Sequence, residues 1–314
     1  MARAFLFPGQ GSQTVGMGRV LAGSFLPARE VFEEVDEALE QKLSRLMWDG
    51  PESALTLTEN AQPAIMAASL AVIRVLMREA GFDFSRHARL VAGHSLGEYS
   101  ALCAAGSFAL ADTARLLRTR GLAMQEAVAP GDGAMSALIG IDVNDAEAAA
   151  IESTAQGGMC VVANDNAPGQ VVISGSKDAV ERAGEFAKEH GARRVMPLSV
   201  SAPFHSPLME PAARKMLEAL DLVTIRPPAV PIVSNVTAAE TSEPDMIRRL
   251  LVEQVTSRVR WRESVLSFRS LGVDTTVEAG GNKVLTGMVK RIDPELMLVS
   301  LDTPADIEAF AKVL

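Results

Sequence analysis

Residues 90–106 read LVAGHSLGEYSALCAAG. The apolar run 90–92 is a buried-strand pattern; it enters Gly93-His94-Ser95-Leu96-Gly97, and a helix-forming stretch leaves it. A G-x-S-x-G between a strand and a helix lifts its serine onto a strained elbow above a mostly parallel sheet. The backbone N–H of Leu96, at the start of that helix, is placed to stabilise an oxyanion beside Ser95. A second donor has to come from another loop beyond the carboxyl end of a strand. Gly9-Gln10-Gly11, which follows a predicted strand over 2–7, supplies such a loop. A phosphate-binding reading of it fails, because there is no G-K-[ST] and no third glycine at G-x-G-x-x-G spacing.

Outward from the elbow, helical patterns at 28–47, 62–80 and 111–129 alternate with the strands, and Pro63 suits a first helical position. Strand alternating with helix predicts an α/β fold with a mostly parallel sheet. From Pro130 the pattern changes. A strand at 134–141 and a helix at 144–154 precede two short strands, 160–163 and 170–174, around a turn-rich 164–169. A helix over 177–190, closed by Gly191, and a strand over 193–200 complete the order βαββαβ, which is ferredoxin-like. The expected organisation is an α/β-hydrolase-like catalytic domain from 1–129 and 200–314, with a small ferredoxin-like insert at 130–199. The large unit continues through a helix at 211–220, a strand at 230–234, a helix from about 243, a strand at 275–277 and a helix at 283–290.

The 314 residues can form one large domain or a large and a small one, and 48% hydrophobic with 22% charged residues is an ordinary globular composition. With only 4% aromatics, the core must be built from Ala, Val, Leu, Ile and Met. A net charge of -9 provides no global positive field, which argues against nucleic acid or an anionic membrane as partner. No stretch approaches the roughly 20 apolar residues of a membrane span. The apolar run in MARAFLFPGQ is too short for a signal peptide. Cys103 and Cys160 have neither disulfide nor metal spacing and read as small core residues. The expectation is a cytoplasmic monomer that uses no metal and no cofactor.

A serine hydroxyl needs an adjacent base, and the chain has four histidines. His190 ends an amphipathic helix, His87 lies in a polar loop, and His94 sits inside the elbow, where an approach to Ser95 from the side is awkward. His205 lies in Ser201-Ala202-Pro203-Phe204-His205-Ser206-Pro207, a loop bracketed by prolines at a predicted strand end. It could be a satisfied loop histidine, but Ser95 has no better partner. The helix at 111–129 carries a second signal. Positions 116, 117, 120, 124, 127 and 128 share one face; all are apolar except Arg120. A buried unpaired charge costs several kcal/mol, so two readings stand: a salt bridge with Glu98 or Glu126, or a two-pronged grip on a substrate carboxylate. Arg118 falls off the stripe and reads as solvated.

These residues resemble the bacterial malonyl-CoA:acyl carrier protein transacylases along essentially the whole chain. The resemblance rests on Phe7-Pro8-Gly9-Gln10-Gly11-Ser12-Gln13, Gly93-His94-Ser95-Leu96-Gly97-Glu98-Tyr99-Ser100-Ala101, Arg120 with Met124-Gln125-Glu126-Ala127, Gln170-Val171-Val172-Ile173-Ser174-Gly175, Ala202-Pro203-Phe204-His205-Ser206-Pro207-Leu208-Met209 and Lys283-Val284-Leu285-Thr286-Gly287. It implies that Ser95 takes malonyl from a coenzyme A thioester and passes it to the phosphopantetheine thiol of acyl carrier protein. It further implies His205 as base and then acid, oriented by the carbonyl of Gln254; the N–H groups of Gln10 and Leu96 as oxyanion hole; Arg120 on the malonyl carboxylate; and Asn164, in the turn of the insert, near the substrate. Where relatives often have Gly-Pro-Gly-Lys, this chain has Gly280-Gly281-Asn282-Lys283, and asparagine tolerates a left-handed backbone. It carries Arg258 where relatives tend to carry proline. Phe204 resembles the residue of malonyl-selective acyltransferase domains, and its bulk would disfavour an α-methyl branch by ~1–3 kcal/mol.

Two other functions fit parts of the pattern. A serine esterase or thioesterase would share the scaffold, but Arg120 and the lack of a third, acidic triad member speak against it. A non-catalytic docking module for carrier protein would leave the elbow unexplained. Docking an acidic carrier protein to this acidic chain calls for a local basic patch, for which Arg193, Arg194, Lys283 and Lys290 are candidates.

Overall fold

The computed structural model describes residues 2–200 and 202–314. Met1, and Ser201 at the predicted return from the insert, lie outside the described residues. The strands in chain order are β1 (Arg3–Phe7), β2 (Leu90–Gly93), β3 (Gly133–Ile139), β4 (Cys160–Ala167), β5 (Gln170–Ser176), β6 (Arg194–Pro197), β7 (Ile232–Val233), β8 (Glu240–Thr241), β9 (Thr275–Ala279) and β10 (Met297–Leu301).

Along β1 the side chains alternate between two apolar layers, Phe5 and Phe7 in one and Ala4 and Leu6 in the other. A strand covered on both faces belongs inside a parallel sheet with helices on either side. It stands third in a six-stranded sheet ordered β10-β9-β1-β2-β7-β8. The pairs among the first five are parallel, and only the short edge strand β8 runs antiparallel to its neighbour. The helices Thr58–Glu79, Gly97–Ala104 and Leu110–Glu126 pack on one face, and Trp261–Ser270 and Val284–Ile292 on the other.

The other four strands form an antiparallel sheet ordered β4-β5-β3-β6. That is the spatial order of the βαββαβ motif read in the sequence. Leu138, Val171 and Ile173 of this sheet close a separate small core with Ala146, Ala149, Ala179 and Ala183 of the helices Val143–Ala155 and Lys177–Glu189. Small alanines on both helices let them lie close to the sheet.

Several local expectations are corrected. The helix predicted over 28–47 is two, Leu26–Ala38 and Leu43–Asp49. Glu40 between them adopts a left-handed φ of 50°, and the buried Asp36 carboxylate accepts from Ser44 N (2.8 Å) and Ser44 Oγ (2.7 Å) to start the second. The helix predicted to begin near Pro63 begins at Thr58 and holds the proline inside it. At 22 residues this helix is long and apolar enough to cross a membrane, contrary to the expectation that no stretch is; its apolar window is almost wholly buried in the core. β10 and the helices Trp261–Ser270 and Pro304–Ala311 were not predicted. Both cysteines are free and buried, as expected of core residues.

The elbow glycines are there because backbones touch. A Cβ on Gly97 would lie 2.1 Å from the Phe7 carbonyl oxygen, and one on Gly93 would lie 2.0 Å from the Gly97 carbonyl. No rotamer change relieves a contact with backbone. Gly97→Ala is therefore expected to destabilise the fold by about 3 kcal/mol or more, whereas Gly287→Ala, inside a helix with nothing within 4 Å, is expected to stabilise it by ~0.5–1 kcal/mol. Denaturant unfolding of the two variants checks both signs.

Candidate active site

Ser95 stands just past the carboxyl end of β2 with φ 52°, the strained backbone expected of an elbow. The side chain of Asn235 holds that turn: its Oδ1 accepts from Ser95 N at 2.7 Å and its Nδ2 donates to the Gly93 carbonyl at 2.7 Å. The hydroxyl of Ser95 thus points into a cleft of about 250 Å³ that is also lined by Gln10, Leu96, Arg120, Asn164 and His205.

His205 also has a left-handed φ, 55°. Its Nε2 lies 2.8 Å from Ser95 Oγ and its Nδ1 lies 2.8 Å from the Gln254 carbonyl oxygen. A carbonyl only accepts, so the Gln254 contact places the ring proton on Nδ1 and leaves Nε2 as an acceptor for the serine O–H. Burial, followed by the nearby Arg120 charge, pushes the imidazole down from 6.5 to about 3. The imidazole is therefore neutral across the physiological range.

Arg120 is 1% exposed. Its Nη1 donates to Gln62 Oε1 at 2.9 Å, while its Nη2 donates to Gln254 Oε1 at 2.8 Å and to Ser95 Oγ at 3.1 Å. Its Nε has no partner, and no carboxylate lies within ion-pair distance of it among the described residues. The salt-bridge reading of Arg120 is overturned. Glu126 pairs with Lys215 at 2.6 Å, and Glu98 is taken by Gln254 Nε2 at 2.6 Å and Asn235 N at 3.3 Å. Burial raises the Glu98 carboxyl to about 7 and lowers the pKa of Arg120. Arg118 is half-buried rather than solvated, donating to Asn60 Oδ1 at 3.1 Å and to Gln41 Oε1.

Gln10 and Leu96 both line the cleft, and neither backbone amide donates a hydrogen bond to any described residue. The loop carrying Gln10 is braced by Ser12 Oγ to Gly9 O (2.7 Å), Gly11 N to Gln13 Oε1 (2.8 Å) and Asn282 Nδ2 to Ser12 O (3.1 Å). Asn282 and Lys283 have φ of 56° and 64°, so the turn there is left-handed as expected.

Asn164 lies on β4, not in a turn. The strand runs to Ala167, with register shifts at Val162/Asn164 and Asp165/Ala167. Around the first of these it pairs with the segment after Gln254: Val259 N donates to Ala163 O at 2.8 Å, and Asp165 N to Val259 O at 3.0 Å. Those bonds keep strand geometry where the composition favours a turn. Arg258, close by, pairs with Glu147, and the Gln254 carbonyl keeps its place. The remaining histidines are occupied elsewhere: His94 with Asn166 Oδ1 at 2.8 Å, His87 with the Asp83 backbone, His190 with Glu152 at 3.7 Å.

The family described as "Acyl transferase domain" matches residues 4–292. The malonyl CoA-acyl carrier protein transacylase of Bacillus subtilis (strain 168) is 46% identical over 99% of this chain and 96% of its own length. The chain belongs to the malonyl CoA-acyl carrier protein transacylase family. It is an acyltransferase. Among solved structures, an acyl-carrier-protein-S-malonyltransferase from Bartonella henselae is 54% identical with a TM-score of 0.97, covering 100% of this chain and 99% of that one. A structure described as a type II PKS acyl-carrier protein in complex with its malonyl-transacylase is 41% identical, with a TM-score of 0.95 and full coverage of both chains.

Sequence reasoning missed Gln62, Asn235, the side chain of Gln254 and the bonds made by the carboxylate of Glu98, which it offered only as a partner of Arg120. One signal was present for two of them: Gln62 and Glu98 are polar residues in otherwise apolar helical stretches. Glu98→Ala leaves the buried Gln254 Nε2 and Asn235 N short of an acceptor, an expected loss of ~1–3 kcal/mol. Glu98→Gln keeps an oxygen there and is expected to cost less than half as much, measured by urea unfolding.

Proposed function

We propose that the chain moves a malonyl group from malonyl-CoA to the phosphopantetheine thiol of acyl carrier protein through a malonyl-Ser95 intermediate, in ping-pong order, to supply fatty-acid synthesis. The observation that carries this reading is Arg120: a buried cation with neutral partners only, hydrogen-bonded to the hydroxyl of an elbow serine. A charge held in that state calls for an anion from outside the protein, and a malonyl thioester brings a carboxylate to that distance from its carbonyl. The names of the relatives, and the solved complex of one with a carrier protein, support the donor and the acceptor.

In this reading Ser95 Oγ attacks the thioester carbonyl as its proton passes to His205 Nε2. The N–H groups of Gln10 and Leu96 hold the oxyanion. The protonated histidine then gives its proton to the departing coenzyme A sulfur. The carrier thiol repeats the sequence in reverse, losing its proton to Nε2 and restoring Ser95. Gln254 acts through its carbonyl, which keeps Nδ1 protonated at every stage. Asn164 lines the cleft from the small sheet and is assigned to contact the acyl group. Phe204, also on the cleft wall, is assigned to disfavour a methyl branch beside the carbonyl. No cofactor or metal enters these steps. A cytoplasmic location, in keeping with two free buried cysteines, and a monomeric state belong to the same reading.

Radiolabelled malonyl-CoA tests the proposal directly. Label is expected on the peptide bearing Ser95, stable without acceptor and discharged onto holo carrier protein; label lost to water alone would make the chain a thioesterase. His205→Ala is expected to slow acylation by ~10²–10⁴-fold. Arg120→Ala is expected to reduce kcat/KM for malonyl-CoA by ~10–100-fold while leaving acetyl-CoA use no poorer. With His205 titrating near 3 rather than 6.5, kcat/KM is expected to show no loss at 6.5 and to fall only as the pH nears 3. A half-loss at 6.5 in the pH profile would contradict that assignment.

A further inference from the structure

A guanidinium offers two forks for a carboxylate, Nη1/Nη2 and Nε/Nη2, and Nη2 belongs to both. In Arg120 both Nη2 hydrogens are already used, one by Gln254 Oε1 at 2.8 Å and one by Ser95 Oγ at 3.1 Å. The unused hydrogens are those of Nε, which has no partner, and the second one of Nη1. These do not form a fork together. A two-pronged grip on any carboxylate must therefore displace either Gln254 or Ser95 from Nη2.

The two are not equally free to move. The Gln254 amide is pinned from its other end, donating to Glu98 Oε2 at 2.6 Å and to the Ser95 carbonyl at 3.0 Å. Ser95 Oγ makes the longer bond to Arg120, and its other partner, His205 Nε2 at 2.8 Å, is an acceptor that remains in place when Arg120 leaves. The serine contact is the one that yields. While it lasts, it ties up a lone pair that the hydroxyl needs for attack, in a charge-assisted bond.

We propose that Arg120 is a latch on the nucleophile: in the unloaded site Nη2 holds Ser95 Oγ, and a carboxylate-bearing acyl donor takes that hydrogen and releases the serine to His205. This inference rests on the malonyl reading above and adds a second way to select the donor. A donor without a carboxylate loses the grip of Arg120 and also meets a serine that is still held. Water in the empty site meets the same restrained hydroxyl.

The test separates the latch from the grip by supplying the carboxylate in trans. A small uncharged dialkyl fluorophosphate reports on the serine: Ser95 Oγ forms the bond to phosphorus, fluoride leaves, and the hydroxyl proton passes to His205. Its rate of labelling is measured on the wild-type protein in increasing sodium formate, with sodium chloride at matched ionic strength as control. Formate is expected to accelerate labelling saturably, by roughly tenfold, the lower end of the range for a hydrogen bond to a charged group. Arg120→Ala is expected to label at the accelerated rate without formate and to ignore it. A wild-type rate that formate leaves unchanged or lowers overturns the latch, and that series decides the matter even if the variant does not fold. Malonyl-CoA labelling of the same preparation keeps the two ideas apart. Acylation of Ser95 without a formate effect removes only the latch; failure of malonyl-CoA to acylate Ser95 removes the functional reading.

Discussion

At Gln254 the main-chain carbonyl sets the tautomer of His205 while the side-chain amide is shared among Ser95, Glu98 and Arg120. The position of this residue in the chain makes both contacts available. It is the last residue of the helix Pro244–Gln254, so its carbonyl has no partner in the next helical turn and lies at the negative end of the helix dipole. That end favours a positive charge on the imidazole, which the proposed mechanism calls for while Nε2 holds the serine proton. The amide is held by the buried Glu98, which the Asn235 backbone also contacts, and Asn235 in turn holds the elbow. Displacing Gln254 would therefore disturb His205, Ser95 and Arg120 together.

The same residue links the two sheets. The five residues after it lead to Val259, which pairs with Ala163 and Asp165 of β4, and Arg258 reaches Glu147 on the small unit's first helix. The bulged strand that carries Asn164 to the cleft is thus stitched to the segment that positions the histidine. One wall of the cleft belongs to each sheet, and the stitching sets their spacing at the point where the acyl group would lie.

What could be read from the sequence was what depends on local pattern. The apolar run at 90–92, the glycine spacing of the elbow, the six strands and helices of the small unit and the single cation on an apolar helical stripe are all patterns of short range. Arg120 was legible because one charge among five apolar neighbours is conspicuous at helical spacing. Its partners were not, because Gln62 and Gln254 are 58 and 134 residues away and neither local context says which residue it would meet. The same distance hid Asn235, 140 residues from the serine it supports. The extension of β4 through Asn164 went unread for a related reason, being fixed by bonds to Val259, outside its own segment. The break at Glu40 is local, fixed by Asp36 and Ser44 within the segment, and the helical pattern runs across it. The Gln254 carbonyl came only through the family resemblance.

The histidine described above has an uncharged orienting group and a buried cation for a neighbour, which makes it a feeble proton acceptor. Feebleness matters differently to the two molecules that could relieve an acylated Ser95. Water has a pKa of about 15.7 and attacks only with strong assistance. A thiol near 8.5 surrenders its proton readily and is intrinsically nucleophilic. A carboxylate in the place of the Gln254 carbonyl would strengthen the base and help water most. In the proposed mechanism, withholding that carboxylate makes acceptor choice a matter of acidity: the ester would be patient toward the abundant solvent and prompt toward the scarce sulfur.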